Sequence, residues 1–260
     1  MRFAAALPFL ILLAACSPKH GAHEEDAAIH GPVITRWTYS GDTGPDHWAQ
    51  LGGKATVCGT GTRQSPLDIN GVTRPQTSKI LLNYNPVPAT IQNTGKGIRI
   101  TPQGAGDLVL DDVHYTLQYI DFHSPSEHAI NGHRATLESQ FVHESAKGDT
   151  VIVSVLYDVG VADPMLASLW TYLPTDPGKP IPLPDLLINA QDLQPPTEDF
   201  YAYSGSLTTP PCTEGVTWLV YSSPLSVSAE QADAFERLVG PNARPMQPRH
   251  DRDFLHIAGS

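Results

Sequence analysis

The sequence predicts an α+β fold that is mainly β, in which sheet dominates and a few helices lie on the surface. Three observations lead to this prediction. Apolar and polar residues alternate over residues 107–124, DLVLDDVHYTLQYIDFHS. Residues 150–157 (TVIVSVLY) and 215–221 (GVTWLVY) are apolar on both faces, as expected of central strands. Helix-capping residues flank two stretches, 163–174 and 228–241.

The composition indicates a single globular domain. The chain has 260 residues, of which 40% are hydrophobic and 17% are charged, which suffices for one large β-rich domain with a sizeable core. The 21 glycines and 24 prolines suit many strands joined by turns. A net charge of -11 without a basic stripe argues against a nucleic acid as partner.

Residues 1–15 predict a signal peptide for export. Arg2 precedes an apolar run to Leu13, and small residues lead to Cys16. The ending LAAC is similar to that of bacterial lipoprotein signals, so we expect cleavage before Cys16 and a lipid on this cysteine, which would hold the protein at a membrane. An ordinary secretory signal with an incidental cysteine is the alternative. The apolar run is short for a transmembrane helix.

Residues 16–35 are polar and irregular, and we interpret them as a flexible tether between the lipid and a domain that spans residues 36–260. The expected location is therefore the periplasm, or the outer membrane or cell surface as a lipoprotein. Without Cys16, the chain has two further cysteines, Cys58 and Cys212. An even pair in an oxidising compartment suggests one disulfide, and two separate buried thiols are the alternative.

The alternating stretch predicts one long strand over residues 107–124. Side chains of a strand alternate between its faces. One face is predicted to carry Val113, Tyr115, Leu117, Tyr119, Asp121 and His123, and the other His114, Thr116, Gln118, Ile120 and Phe122. Residues 137–144 (LESQFVHE) are interpreted as the next strand, so that the two strands together look like the frame of a metal site.

The two helices are predicted from their ends. The first has Asp163 as N-cap and Pro164 at its first position. The second begins with a capping box of Ser228 and Gln231 and ends at Gly240. The apolar faces comprise Leu166, Leu169 and Leu173 in the first helix and Ala232, Phe235 and Val239 in the second.

Five stretches resemble the α-class carbonic anhydrases, in their exported bacterial form. They are residues 44–51 (GPDHWAQL), 63–69 (RQSPLDI), 123–134 (HSPSEHAINGHR), 205–218 (GSLTTPPCTEGVTW) and 242–248 (NARPMQP). The resemblance implies a large, twisted, mostly antiparallel central sheet around a conical pocket, and a disulfide between Cys58 and Cys212. It also implies that carbon dioxide and bicarbonate are the substrates. In this family three histidines hold a zinc ion, and a zinc-bound hydroxide attacks carbon dioxide.

The chain departs from the family at the zinc ligands. The motif Q-F-H-F-H is matched by residues 119–123 (YIDFH), and E-x-H-x-V-H by residues 138–143 (ESQFVH). The ligand positions therefore hold Asp121, His123 and Gln140, of which only His123 is retained. Asp121 would cancel one unit of the zinc charge, and the neutral amide of Gln140 is a weak zinc ligand. We expect zinc to bind weakly or not at all.

Other family positions are preserved or replaced individually. By family match, Thr208 and Glu127 orient the hydroxide, although they could also persist because a buried carboxylate needs a hydroxyl partner. Lys96 stands at the proton-shuttle position, where a lysine relays protons poorly near pH 7. The apolar wall of the substrate pocket corresponds to Val142, Ile152, Leu207 and Trp218.

Of the three residues that orient the ligands in the family, one is replaced and two are preserved. Tyr119 stands where the family has an amide for the first ligand, whereas Glu138 lies behind Gln140 and Asn242 is the partner of His123. We interpret His128 and His143 as structural histidines. If only the ligands were lost, Asp121→His together with Gln140→His should restore zinc binding and some hydratase activity.

The expected function is that of a carbonic anhydrase-like protein of the bacterial cell envelope without ordinary zinc-dependent hydratase activity. An active or weakly active carbonic anhydrase with a non-standard metal or water site is the main alternative. A hydrolase that uses Asp121 and His123 beside Thr208 is another, although no serine or cysteine nucleophile motif supports it. The sequence does not identify a protein partner.

Overall fold

One large mixed sheet organises the chain. The computed structural model describes residues 36–71 and 73–258, so the predicted signal peptide, Cys16 and the predicted tether lie outside the described residues. The strands are β1 (Asp68–Ile69), β2 (Thr73–Pro75), β3 (Ile80–Tyr84), β4 (Ala89–Asn93), β5 (Ile98–Pro102), β6 (Gly106–Leu110), β7 (Val113–His123), β8 (Ala129–Ile130), β9 (His133–Arg134), β10 (Leu137–Ser145), β11 (Thr150–Val159), β12 (Ile181–Pro182), β13 (Phe200–Ser206), β14 (Glu214–Tyr221), β15 (Leu225–Val227) and β16 (Phe254–Ile257).

The strand order confirms the predicted fold class. The large sheet has 13 strands in the order β12-β4-β5-β7-β10-β11-β14-β13-β16-β2, with β3, β6 and β15 joined at its sides. Within the described residues, nine of its strand pairings are antiparallel and three are parallel. Strands β1, β8 and β9 form a separate small sheet. The central strands β11 and β14 lie where their two apolar faces predict.

The predicted single strand over residues 107–124 is wrong, because the chain turns within it. Strands β6 and β7 form a hairpin, joined by Asp111 and Asp112, whose φ angles are 48° and 66°. Aspartate tolerates the left-handed region better than most residues, and two such residues in sequence suit a tight hairpin turn. The hydrophobic alternation continues through the turn, so it did not reveal the break.

The predicted face of β7 is also wrong before residue 119. The register between β7 and β10 shifts between Val142, which faces Tyr119, and His143, which faces Leu117. Gln118 is therefore the extra residue of a β-bulge, which reverses the side-chain alternation. As a result, Leu117 packs with Ile120 in the main core. Tyr119 still shares a face with Asp121 and His123, because these residues follow the bulge.

The two predicted helices begin as expected. They are α2 (Pro164–Trp170), in which the Asp163 side chain accepts a hydrogen bond from Leu166 N, and α3 (Ala229–Val239), whose capping box of Ser228 and Gln231 is formed. Leu173 lies beyond the end of α2, which is shorter than the apolar pattern suggests. The remaining helices are α1 (Val57–Thr60) and the 3₁₀ segments Gly41–Thr43, Pro45–Leu51, Gly53–Thr56 and Ala190–Leu193.

The two sides of the central strands face different apolar clusters. The main core includes Phe122, Phe141 and Val153 on one side. A second cluster on the other side contains Val142, Ile152, Tyr203 and Trp218. No helix in the described part of the chain is long and apolar enough to cross a membrane.

His143 lies buried on the side of β10 that faces away from Gln140. Its Nε2 atom is 2.7 Å from the Tyr84 hydroxyl oxygen. Burial lowers the pKa of His143 to about 4, against a usual value of 6.5, because the charged imidazolium would lose its hydration. This position agrees with the expectation that His143 does not contribute to the pocket.

The buried His143 is expected to make stability depend on pH between about 6.5 and 4. As the pH falls, the unfolded chain takes up the proton on His143 before the folded chain does. The stabilisation of the folded state by neutral His143 is therefore complete above pH 6.5. It is lost towards pH 4 by about 1.4 kcal/mol per pH unit, about 3 kcal/mol in total. Urea unfolding of the wild type and of His143→Gln should show a stability difference that shrinks over this window. A constant difference would contradict the prediction, and His133→Gln, at an exposed histidine, is the control.

Candidate active site

The structure brings the three predicted ligand positions together on two adjacent strands. In the register of β7 and β10, Asp121 faces Gln140 and His123 faces Glu138. Alternate residues of each strand project from one side. The second apolar cluster lies on this same side through Val142, which follows Gln140 by two residues.

His123 is held in one orientation by Asn242. The Nδ1 atom of His123 is 2.8 Å from the Asn242 backbone oxygen, which can only accept, so Nδ1 carries the proton. The Asn242 side chain accepts from Ser124 N and donates to the Phe122 backbone oxygen. In the neutral ring, Nε2 therefore remains available as the metal-binding atom.

Asp121 is bound to a cation of the neighbouring strand. Arg99 on β5 faces it directly in the strand register, and donates from Nε to Oδ1 at 2.7 Å and from Nη2 to Oδ2 at 2.6 Å. The side chains are only 34% and 26% exposed. Burial lowers the pKa of Arg99, but the charge of Asp121 and the hydrogen bonds outweigh it, so the pKa lies above its usual value. Both oxygens of Asp121 are thus engaged.

Gln140 is bound between two buried carboxylates. Its Nε2 atom donates to Glu127 Oε2 at 2.8 Å and to Glu138 Oε1 at 2.9 Å. Both partners can only accept when ionised, which fixes the orientation of the amide. Both amide hydrogens are used, so Gln140 can offer a metal only its carbonyl oxygen.

The Glu138 carboxylate accepts five hydrogen bonds from its neighbours. Its Oε2 accepts from the backbone N–H groups of Glu127 and His128, and its Oε1 accepts from His128 Nδ1, Gln140 Nε2 and Ser154 Oγ. Burial raises the pKa of Glu138, but His128 and the donated hydrogen bonds outweigh it and lower this pKa to about 2. His128 also contacts Tyr203 Oη at 2.6 Å, in agreement with a structural role.

Glu127 has partners other than the predicted one. Its Oε1 accepts from the backbone N–H of Arg244 at 2.9 Å, and its Oε2 accepts from Gln140. Thr208 is 4% exposed, but none of the hydrogen bonds within the described residues joins its hydroxyl to Glu127. Gln140 thus provides the side-chain donor to Glu127 that was expected from the Thr208 hydroxyl.

The remaining predicted residues each have defined surroundings. Val142, Ile152 and Trp218 belong to one apolar cluster, and Leu207 packs against it. The Lys96 Nζ atom is 5.1 Å from the centre of the Trp37 ring. Cys58 and Cys212 form the predicted disulfide, and their backbone oxygens accept from Arg244 Nη2 and Gln64 Nε2.

The donors at the three ligand positions do not fit a zinc ion. Structural and catalytic zinc sites use three or four histidine, cysteine or carboxylate donors. Here Asp121 is engaged by Arg99, Gln140 presents an amide oxygen, and His123 alone has a suitable nitrogen. Within the residues that the structure describes, no group of three or more His, Cys, Asp or Glu side chains is arranged to hold a metal.

The fold and the arrangement of these positions define the class of protein. The family model described as eukaryotic-type carbonic anhydrase matches residues 43–256. A carbonic anhydrase of Neisseria gonorrhoeae is 36% identical over 255 residues, which cover 96% of this chain and 98% of that protein. Dioscorin dioA3 of Dioscorea japonica is 36% identical over 223 residues, with 82% of each chain covered.

A solved structure gives the same result. The α-carbonic anhydrase from Thermovibrio ammonificans, solved with the inhibitor sulfanilamide, superposes with a TM-score of 0.81 at 36% identity, covering 84% of this chain and 98% of that one. The chain belongs to the α-carbonic anhydrase family. This family is normally zinc-dependent.

Sequence reasoning missed Arg99. It lies three residues after Lys96, in the stretch IQNTGKGIRI, and a lone charge within an apolar strand was the available signal. Its partner could not be identified, because the pairing of β5 with β7 depends on the sheet order. Tyr119, predicted at the position of an orienting amide, instead places its ring centre 3.6 Å from the Arg99 guanidinium carbon.

Proposed function

We propose that this chain is a carbonic anhydrase-like protein of the bacterial cell envelope that lacks ordinary zinc-dependent carbon dioxide hydratase activity. One observation carries the proposal. At two of the three ligand positions the side chain is hydrogen-bonded to other residues: both oxygens of Asp121 to Arg99, and the amide nitrogen of Gln140 to Glu127 and Glu138. A metal would have to displace the Arg99 guanidinium before it gained Asp121 as a ligand, and Gln140 would offer it only a neutral amide oxygen.

The electrostatics of the pocket support the same proposal. A zinc ion with three neutral ligands keeps nearly its full charge, which is what lowers the pKa of its bound water to near 7. In this chain the negative charge of Asp121 is already balanced by the Arg99 guanidinium. The amide of Gln140 is neutral and cannot balance the charge of a metal ion. The remaining apolar wall would form a pocket for a small molecule without a group that activates water.

The location at the envelope is part of this proposal. It depends on the signal peptide, on lipidation of Cys16 and on the polar tether over residues 16–35, all of which are interpretations of the sequence. A lipid on Cys16 would hold the domain at a membrane in the periplasm or at the cell surface.

Metal content and hydration rate together test the proposal. Protein purified without chelators and then exposed to zinc is expected to retain far less than one zinc per chain, and to hydrate carbon dioxide no faster than the buffer does. The measurements are elemental analysis and a stopped-flow pH-indicator assay. The related carbonic anhydrase of Neisseria gonorrhoeae, treated identically, is the control for zinc loading and for the assay. Stoichiometric zinc together with hydration that a chelator abolishes would refute the proposal.

A weakly active enzyme is the second candidate, and the orientation of His123 favours it. The hydrogen bond from Nδ1 to Asn242 leaves Nε2 free, as a metal ligand requires. In that case, hydration would be slow but measurable and would disappear in His123→Ala. If a rate persisted in the chelated protein but not in His123→Ala, water activated without a metal would be the better interpretation.

A further inference from the structure

Arg99, Asp121 and Tyr119 form a single unit at the first ligand position, which we call the arginine clamp. The guanidinium group donates two parallel hydrogen bonds to the two carboxylate oxygens of Asp121, of 2.7 Å and 2.6 Å. Such two-pronged pairs of arginine and carboxylate are among the strongest and most directional hydrogen bonds in proteins. The pair spans facing residues of β5 and β7, so the backbone of the sheet holds the two groups in register.

Tyr119 stacks against one face of the guanidinium. The Arg99 guanidinium carbon is 3.6 Å from the centre of the Tyr119 ring. A planar cation at this distance from an aromatic ring is stabilised both by stacking and by the charge distribution of the ring. Tyr119 precedes Asp121 by two residues, so both contacts come from the same side of β7. The clamp therefore fixes the cation beside the ligand position.

We propose that Arg99 is the residue that determines metal exclusion at this site, because its guanidinium replaces a metal ion as the counter-cation of Asp121. This inference depends on the proposed function, since it explains why zinc is not held. A role for Arg99 predicts a different result from the loss of the histidine ligands alone. Histidines at positions 121 and 140 do not suffice to rebuild the zinc site while Arg99 remains, since the cation then faces the incoming zinc ion without its own carboxylate.

The physical reason is repulsion in a partly buried pocket. Like charges that are shielded from water interact more strongly than they do in bulk solvent. In the wild type, zinc must break two charge-assisted hydrogen bonds to reach Asp121. In the double variant Asp121→His/Gln140→His, those bonds are gone, but an unbalanced guanidinium held by Tyr119 remains next to the new ligands. Only removal of Arg99 eliminates both obstacles.

A set of matched variants tests the proposal by zinc affinity. The double variant Asp121→His/Gln140→His is compared with two triple variants, one with Arg99→Asn added and one with Lys96→Asn added. Lys96 is the matched control, because it is a second cation in the same stretch but contacts Trp37 and not Asp121. Zinc affinity is measured with Zn²⁺ alone, by competition with a chromophoric chelator at fixed pH and ionic strength.

The triple variant with Arg99→Asn is expected to bind zinc at least tenfold more tightly than the double variant, and the Lys96→Asn triple is expected to match the double variant. Equal affinity of the double variant and the Arg99→Asn triple would overturn the role of Arg99 and leave the proposed function standing. An equal gain from Lys96→Asn would also overturn it, because the effect would then be one of general charge. Tight zinc binding by the wild type would instead refute the proposed function.

A single variant keeps the test decisive if the multiple variants do not fold. Arg99→Asn alone frees both oxygens of Asp121 beside His123. It is expected to raise the affinity for Zn²⁺ at least tenfold over the wild type, and to give Co²⁺ a visible absorption band. Circular dichroism checks that the sheet is intact. A folded Arg99→Asn protein with wild-type affinity for both ions would overturn the proposal.

Discussion

Replacement of Glu138 by glutamine is expected to lower the free energy of unfolding by about 3–5 kcal/mol. Glu138 is fully buried, and its two oxygens accept five hydrogen bonds from donors on β10, β11 and the segment before β8. The amide nitrogen of the new glutamine cannot accept a hydrogen bond. It would replace either Oε2, which faces two N–H donors, or Oε1, which faces two N–H donors and one O–H donor. Those donors would then be buried without partners.

Chemical unfolding measures this loss directly. For a domain of this size the predicted change lowers the melting temperature by roughly 10 °C. Glu236→Gln, an exposed position on α3, makes the same chemical change without burial and is the matched control. If Glu138→Gln proved as stable as Glu236→Gln, the five donors would have found water or other acceptors. The carboxylate would then not be essential to the packing of the site.

Removal of the disulfide between Cys58 and Cys212 is expected to have the second large effect. The two cysteines are separated by 154 residues. In the chain-entropy model, a cross-link that closes a loop of this length stabilises the folded state by about 5 kcal/mol, because it restricts the unfolded chain. The paired change Cys58→Ser/Cys212→Ser is therefore expected to shift guanidinium unfolding strongly towards lower denaturant concentration.

The slope of the transition adds a second readout. Without the cross-link the unfolded chain exposes more surface, so the dependence of the unfolding free energy on denaturant should also become steeper. All proteins would carry Cys16→Ser, so that no third cysteine can exchange with the disulfide, and the reduced Cys16→Ser protein is the control. A loss below about 1 kcal/mol would mean that the unfolded chain is already compact in the absence of the cross-link.

The sequence was most informative where one residue type at one position carries a definite geometry. The capping box of Ser228 and Gln231 and the disulfide cysteines are of this kind. The face of β7 before Tyr119 could not be predicted, because a bulge leaves no mark in the hydrophobic pattern. Its hairpin turn was missed for a related reason, since two aspartates interrupt the apolar run too briefly to separate two strands.

In the candidate site, the residue identities could be predicted from the local sequence, whereas the contacts between distant residues could not. The identities of Asp121, His123 and Gln140 could be read from the motif positions on β7 and β10. What these side chains bind could not, because Arg99 is 22 residues from its partner Asp121 and meets it only through the pairing of β5 with β7. The pairing of distant strands therefore determines whether the metal-binding atoms in the pocket are free or are already hydrogen-bonded to other residues.

The bulge at Gln118 also separates two parts of β7 that can change independently. The residues of β7 before it are paired with β6 and, through Leu117, belong to the main core, whereas Tyr119, Asp121 and His123 after it face the pocket. A bulge absorbs a change of alternation at one position of a strand. The outer hairpin of β6 and β7 can thus vary in length or sequence during evolution while the spacing of Tyr119, Asp121 and His123 stays the same.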